Sequence, residues 1–314
     1  MSLTESKTIV HFRNGIGNFV ELTPALQALA SMDPSGKIDI CTDSVWFDSR
    51  RLPLLDIWNL LPFVGLATTI EKIKDKPYKT WFWTLWNSGA SAIEFFKSKK
   101  FYEPPVWDMM NKHESDYYME IIYKFYGYKG LKPPQCIISA NGPDITATGK
   151  KIVLTNGGFG EFCVMKKYNK FAEVAKHLKA FFKDDITLIK VGHKNELDDV
   201  LDFDIDYVNK LTLPETARVI QQADLVITND TGNMHVADAF GVPMIVLWGG
   251  TILAKNRPIN AKAKIINLQL PCQPCQVDGG YHHCEEIHCL NDIQVGEIIY
   301  NIRQYFKRGV FDGD

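Results

Sequence analysis

The sequence predicts an α/β chain of two consecutive domains with mostly parallel sheets, and three observations carry that reading. Its 314 residues correspond to about two domains at roughly 150 residues each, both long enough to bury a core. Short β-favourable runs alternate with stretches of helical spacing, the pattern of βαβ units. Between Gly130 and Gly149 the composition shifts to Pro133, Pro134, Gly142 and Pro143 around one short apolar run, which marks a boundary near Thr146. The expected domains are therefore 1–146 and 147–314.

Taken in order, Thr8 to Phe12 is a strand that runs into Arg13-Asn14-Gly15-Ile16-Gly17-Asn18. A helix follows, with Val20, Leu22, Leu26 and Leu29 near helical spacing and Pro24 in its first turns. Lys37 to Cys41 closes the first βαβ unit. Lys79 to Leu85 reads as a strand, Ser91 to Lys99 as a helix, and Glu114 to Tyr126 as a longer aromatic-rich helix. A short strand is expected at Cys136 to Ser139. Beyond the boundary the alternation restarts with strand Ile152–Thr155, helix Lys170–Phe182 and strand Ile186–Val191. Helix Glu215–Gln222, strand Leu225–Thr228, helix Asn233–Phe240, strand Met244–Trp248 and a final helix Val295–Lys307 complete it.

Charge and targeting signals narrow the function classes. Thirty-five Lys and Arg against 37 Asp and Glu leave a net charge of −2, whereas a general nucleic-acid binder needs a strong positive excess. The N-terminus carries Glu5, Lys7 and Arg13 without an apolar core of a secretory signal, and no apolar run is long enough to span a bilayer. A soluble, cytoplasmic protein is expected. Ile70 to Lys100 holds seven lysines against three acids, an excess that favours an anionic acceptor or peripheral contact with a membrane surface, or is simply a solvated face.

The densest chemical signal runs from Leu225 to Thr251. A buried strand delivers Asp230-Thr231-Gly232 to its carboxyl end, where a helix begins. Ligands of open α/β sheets bind at that end, and a helix N-terminus offers unpaired N–H groups and about half a positive charge. Phosphate is the natural guest. Gly232 admits close backbone approach, Thr231 adds a hydroxyl, and His235 lies on the first helical turn. The next strand ends in Gly249-Gly250-Thr251, a second backbone cradle. The alternative is that Asp230 and Thr231 merely cap the helix.

These motifs resemble glycosyltransferase family 9, which includes the ADP-heptose lipopolysaccharide heptosyltransferases. The resemblance rests on the DTG-x-M-H run with A-x-A-F-G-V-P and the strand ending Gly-Gly-Thr. It also rests on the opening GIGNFVELTPALQALA, the segment from Leu211 to Asp224, and His113-Glu114 with its helix. It implies a GT-B fold: two Rossmann-like domains facing a central cleft, the first binding the acceptor and the second the nucleotide sugar. It further implies an inverting enzyme that needs no catalytic divalent metal. Asp230, Thr231, Gly232 and His235 would then hold the diphosphate region, with Gly250 and Thr251 beside them. Lys166 would reach the phosphates and Glu196 the ribose; for both, a solvated surface charge is the competing reading. The acceptor would be a cell-surface glycan, lipid-linked or protein.

The chain departs from the family at one position. Where the lipopolysaccharide heptosyltransferases carry Gly-Asp, with the aspartate as general base, this sequence has Gly17-Asn18. An amide cannot accept the proton. Asn18 with Glu21 also fits a helix cap and capping box. Glu21 and Asp43, just past the second strand, are the candidate bases. Loss of catalysis at Asn18 would instead leave a nucleotide-sugar-binding module.

Cys272, Cys275, Cys284 and Cys289 are spaced C-x2-C-x8-C-x4-C, with His282, His283 and His288 interleaved. In a reducing compartment such a cluster suggests a structural Zn or Fe site, with oxidation-born disulfides or plain thiols as alternatives. A metal-linked interaction protein is the third functional reading. Cys41, Cys136 and Cys163 read as small buried hydrophobes. Asp202-x-Asp204-x-Asp206 reads as a solvated edge, and the aromatic run Lys79 to Trp86 as a buried strand, with sugar-stacking faces as its alternative.

Overall fold

The computed structural model describes residues 6–12, 14–42, 48–73, 76–83, 111–130, 134–157, 165–192, 203–277, 280–281, 284 and 286–311. The chain divides into two units, Met1–Asp108 with Glu114–Ser139, and Met109–His113 with Ala140–Asp314. The passage to the second unit thus falls before Thr146. The reason is local: Asn141 N donates to Pro214 O at 3.3 Å and Ile145 N to Gln222 Oε1 at 2.9 Å, so the Pro- and Gly-rich stretch is tied to the second unit.

In the first unit β1 (Thr8–His11), β2 (Ile38–Thr42), β3 (Val64–Thr69) and β4 (Thr80–Trp83) form a parallel sheet in the order β3-β2-β1-β4. β1 and β2 are buried along their whole length, as expected of strands covered on both faces. Helix α1 (Ile16–Met32) starts one turn earlier than capping by Asn18 would require. Its N-cap is Gly15 in extended conformation, with no side-chain cap bond.

Pro24 lies inside α1, not in its opening turns. Proline leaves the carbonyl four residues back without its N–H, and Thr23 Oγ1 donates to that carbonyl, Val20 O, at 2.6 Å. The same hydroxyl accepts Ile137 N at 2.9 Å, and Gln27 Nε2 donates to Gln135 O at 2.8 Å. These bonds explain why the expected strand at Cys136–Ser139 is absent: its backbone is pinned to α1 instead of to a sheet.

Helix α2 (Asp48–Trp58) places Trp58 against Phe12 and Phe19, with ring centroids 5.6 and 5.3 Å away. This aromatic knot packs beneath the turn after β1. Helix α3 (Glu114–Ile121) continues as a π-helical turn over Ile122–Tyr126 and stops at Gly127 in the left-handed region. Phe82 of β4 is buried, while Thr84 and Leu85 of the expected strand and the helix Ser91–Lys99 lie outside the described residues.

The second unit contains β5 (Lys150–Thr155), α4 (Phe171–Phe182), β6 (Ile186–Lys190), β7 (Ile205–Asp206) and α5 (Leu213–Gln221). It continues with β8 (Leu225–Asn229), α6 (Gly232–Ala239), β9 (Met244–Leu247), β10 (Ala263–Ile266) and α7 (Val295–Arg308). Its parallel strands run β10-β9-β8-β5-β6-β7, the doubly wound order, whose switch point lies between β5 and β8. α4 and α7 cover one face through Val174, Leu178, Ile298 and Ile302. Asp204 binds Lys179 and Leu188 N, and Asp206 pairs with Lys190 at 3.1 Å, so these acids secure the short β7 edge. Among the described residues no helix is long and apolar enough to cross a membrane.

Candidate functional site

The switch point of the second sheet gathers the charged residues that the motifs predicted. Lys166, on the segment after β5, places Nζ 2.9 Å from Asp230 Oδ2, and His235 Nε2 lies 3.9 Å from Asp230 Oδ1. Asp230 is 3% exposed. Burial alone would raise its carboxyl; Lys166, His235 and the hydroxyl of Thr251 outweigh burial and hold it below its ordinary value of 3.8.

Local structure fixes both ends of this pair. Asn156, just past β5, clamps Tyr168 by accepting from its N–H at 3.1 Å and donating to its carbonyl at 2.9 Å. Asn229 Nδ2 donates to Lys166 O, tying the lysine's backbone to the end of β8. Thr231 occupies the N-cap of α6 in extended conformation but makes no side-chain cap bond, so the capping alternative supplies no account of its hydroxyl. Gly232 is the first helical residue. The pair is thus a prepared cation beside a helix N-terminus, with Asp230 orienting Lys166 and His235.

The turn after β9 has a second duty. Gly250 O accepts Cys275 N at 2.9 Å and Gln276 N at 3.0 Å, and a Cβ at Gly250 would collide with Cys275 Sγ. Thr251 is buried and its carbonyl accepts Trp248 Nε1 at 2.9 Å. A cavity of about 140 Å³ lies beside this turn, lined by Gly249, Thr251, Asn267, Gln269 and Gln273.

Cys289 is buried, Cys275 half-buried, and Cys272 and Cys284 exposed; all are free thiols. Burial pushes the Cys289 thiol up to about 11, and the neighbouring Cys275, Cys272 and Cys284 push in the same direction. Among the described residues no three His, Cys, Asp or Glu side chains are drawn together tightly enough to hold a metal ion. His282 and His283 lie outside the described residues, and His288 pairs with Glu286 and Asp292 at 3.1 Å each.

In the first unit the glycine-rich turn sits at the carboxyl end of β1, next to the β1/β4 switch point. Asn18, in the first turn of α1, donates from Nδ2 to Glu114 Oε1 at 2.8 Å, and Tyr118 OH donates to the same oxygen at 2.7 Å. Glu21 is buried beside Tyr118, whose hydroxyl is raised well above 10 by burial and by the charges of Glu114 and Glu21. No local pattern assigns Glu114 a role, because its partner lies 96 residues away. Of the remaining expected residues, Asp43 and Glu196 lie outside the described residues.

Each unit carries a doubly wound parallel sheet, the two building blocks of a GT-B fold. Residues 161–284 match the family model of glycosyltransferase family 9 (heptosyltransferase). Lipooligosaccharide heptosyltransferase 2 of Campylobacter jejuni is 29% identical over 194 residues, 57% of this chain and 58% of the relative. The match thus spans little more than half of that relative's length. The ADP-heptose lipopolysaccharide heptosyltransferase II of E. coli superposes with a TM-score of 0.71 at 19% identity, covering 96% of this chain and 99% of that one. A dodecameric, iron-containing glycosyltransferase of enterotoxigenic E. coli superposes at 0.66 and 13% identity, covering 98% and 78%. The resemblance to glycosyltransferase family 9 read from the motifs therefore holds, in sequence over much of the second unit and in fold over nearly the whole chain.

Proposed function

We propose that the protein is an inverting glycosyltransferase that moves a heptose from ADP-heptose to a lipopolysaccharide-type glycan acceptor at the cytoplasmic face of the membrane. The observation that carries this reading is the Lys166–Asp230–His235 cluster at the β5/β8 switch point. Lys166, His235 and the N–H groups that open α6 face the place where a departing nucleoside diphosphate develops its charge. Thr231, Gly232, Gly250 and Thr251 would line the donor site and Glu196 would hold the ribose. The first unit would take the acceptor, with Glu21 or Asp43 as the proton acceptor. Thermal-shift and calorimetric titration with ADP-, GDP- and UDP-sugars tests the donor: stabilisation by ADP-heptose is expected, and silence with all three overturns the site. A protein that binds the donor yet neither hydrolyses nor transfers it would be a binding module.

The four-cysteine loop is proposed to hold a structural Zn or Fe ion, a role supported by its C-x2-C-x8-C-x4-C spacing. Thiolate donors suit both ions, and a bound cation would reverse the rise at Cys289 by favouring the thiolate. Elemental analysis of protein purified without chelator should find stoichiometric metal, and Cys289→Ser should lose it. Metal-free wild-type protein would reject the site.

A further inference from the structure

We infer that Glu114 is a positioning residue which, through Asn18, prepares a hydrogen-bond acceptor for the hydroxyl of the sugar-accepting substrate at the glycine-rich turn. The inference rests on the transferase reading above and deepens it. Glu114 is 1% exposed and opens α3, while Asn18 lies in the first turn of α1, so this bond ties the two helices together. Burying a carboxylate is costly unless its oxygens are bonded. Its Oε1 takes two donors, Asn18 Nδ2 and Tyr118 OH.

The chemistry of the pair fixes the direction of the Asn18 amide. A carboxylate only accepts, so the NH2 end of the amide must face Glu114. Its Oδ1 is then turned away from that carboxylate, toward Gly15, where a Cβ would stand 4.0 Å from it. Gly15 is exposed and Asn18 half-exposed, so the turn onto which this oxygen faces is open to solvent. Hydrogen bonding of the amide N–H to an anion also polarises the carbonyl and strengthens it as an acceptor. Asn18 cannot take the proton in the transfer; it can hold the attacking hydroxyl by its hydrogen. Glu114 acts one bond behind it.

The test uses Glu114→Gln, which keeps the shape and removes the charge, beside Asn18→Ala and the double variant. ADP-heptose serves as donor and heptose-free lipooligosaccharide as acceptor. Each single variant should lose about tenfold or more in kcat/KM for the acceptor, with KM for the donor within about twofold. The double variant should be no worse than the weaker single, because both changes break one unit. Full acceptor kcat/KM in folded Glu114→Gln, or multiplicative losses in the double variant, would overturn the inference. Side-chain amide NMR of Asn18 gives a readout independent of turnover: its NH2 signals should shift and exchange faster in Glu114→Gln. If wild-type protein turns over no ADP-heptose, the transferase reading fails, and unchanged Asn18 signals would separately sink the positioning role.

Discussion

Lys166 and Asp230, 64 residues apart in the chain, meet at 2.9 Å across the switch point of the second sheet. Their burial is unequal, with the lysine side chain 19% exposed and the aspartate 4%. The inequality makes the pair asymmetric to mutation. Lys166→Met strands a charge inside the protein, which costs about 3–5 kcal/mol. Asp230→Asn leaves a lysine that can still reach water, and should cost less. Denaturant titration of the two variants should show that order, and equal losses would mean the pair is not what holds Asp230 ionised.

The same pair sets an acid limit. Asp230 is held below its ordinary 3.8 in the folded state, so the unfolded chain binds its proton first as pH falls. The stabilisation is present above 3.8 and is lost as pH drops through the lower folded value. Wild-type stability should fall along this acid limb, and Asp230→Asn should flatten it. A variant with an unchanged acid limb would assign the titration to another group.

Thr23 joins two otherwise unsatisfied places, the carbonyl left by Pro24 and the N–H of Ile137. Thr23→Val keeps the shape and removes both bonds. With buried backbone groups left unpaired, a loss of about 1–3 kcal/mol is expected. Hydrogen exchange at Ile137 should rise more than at β5, which lies in the other unit. Uniform loss of protection would indicate global destabilisation instead.

Much of the second unit was legible because β8 and β9 are buried along their whole length and α7 carries one apolar stripe. Leu225–Asn229, Met244–Leu247 and Val295–Arg308 stand within a residue or so of the positions that periodicity gives. β10 was not legible: Ala263, Lys264 and Ile265 are only half-buried at the sheet edge, so no apolar run announces it. Cys136–Ser139 misled for the opposite reason, being apolar enough for a strand while its hydrogen bonds go to a helix. The charged motif around Asp230 was readable as a strand end, but the bond between Asn18 and Glu114 was not, since no local pattern encodes a contact across 96 residues.

Gly250 was read as a place where backbone approaches a phosphate, yet the atom nearest its missing Cβ is Cys275 Sγ. Its carbonyl also accepts the N–H groups of Cys275 and Gln276. The glycine therefore couples the turn after β9 to the cysteine loop. In Gly250→Ala the new methyl must displace Cys275, because its own backbone is held at both neighbours. Overpacking of this kind costs about 1–3 kcal/mol. The displaced thiol should react faster with a soluble disulfide reagent than in wild type, while Cys41, buried in the other unit, should not change. Equal Cys275 reactivity with an unshifted melting temperature would show that the loop yields freely, and that the demand for glycine at 250 comes from a ligand instead.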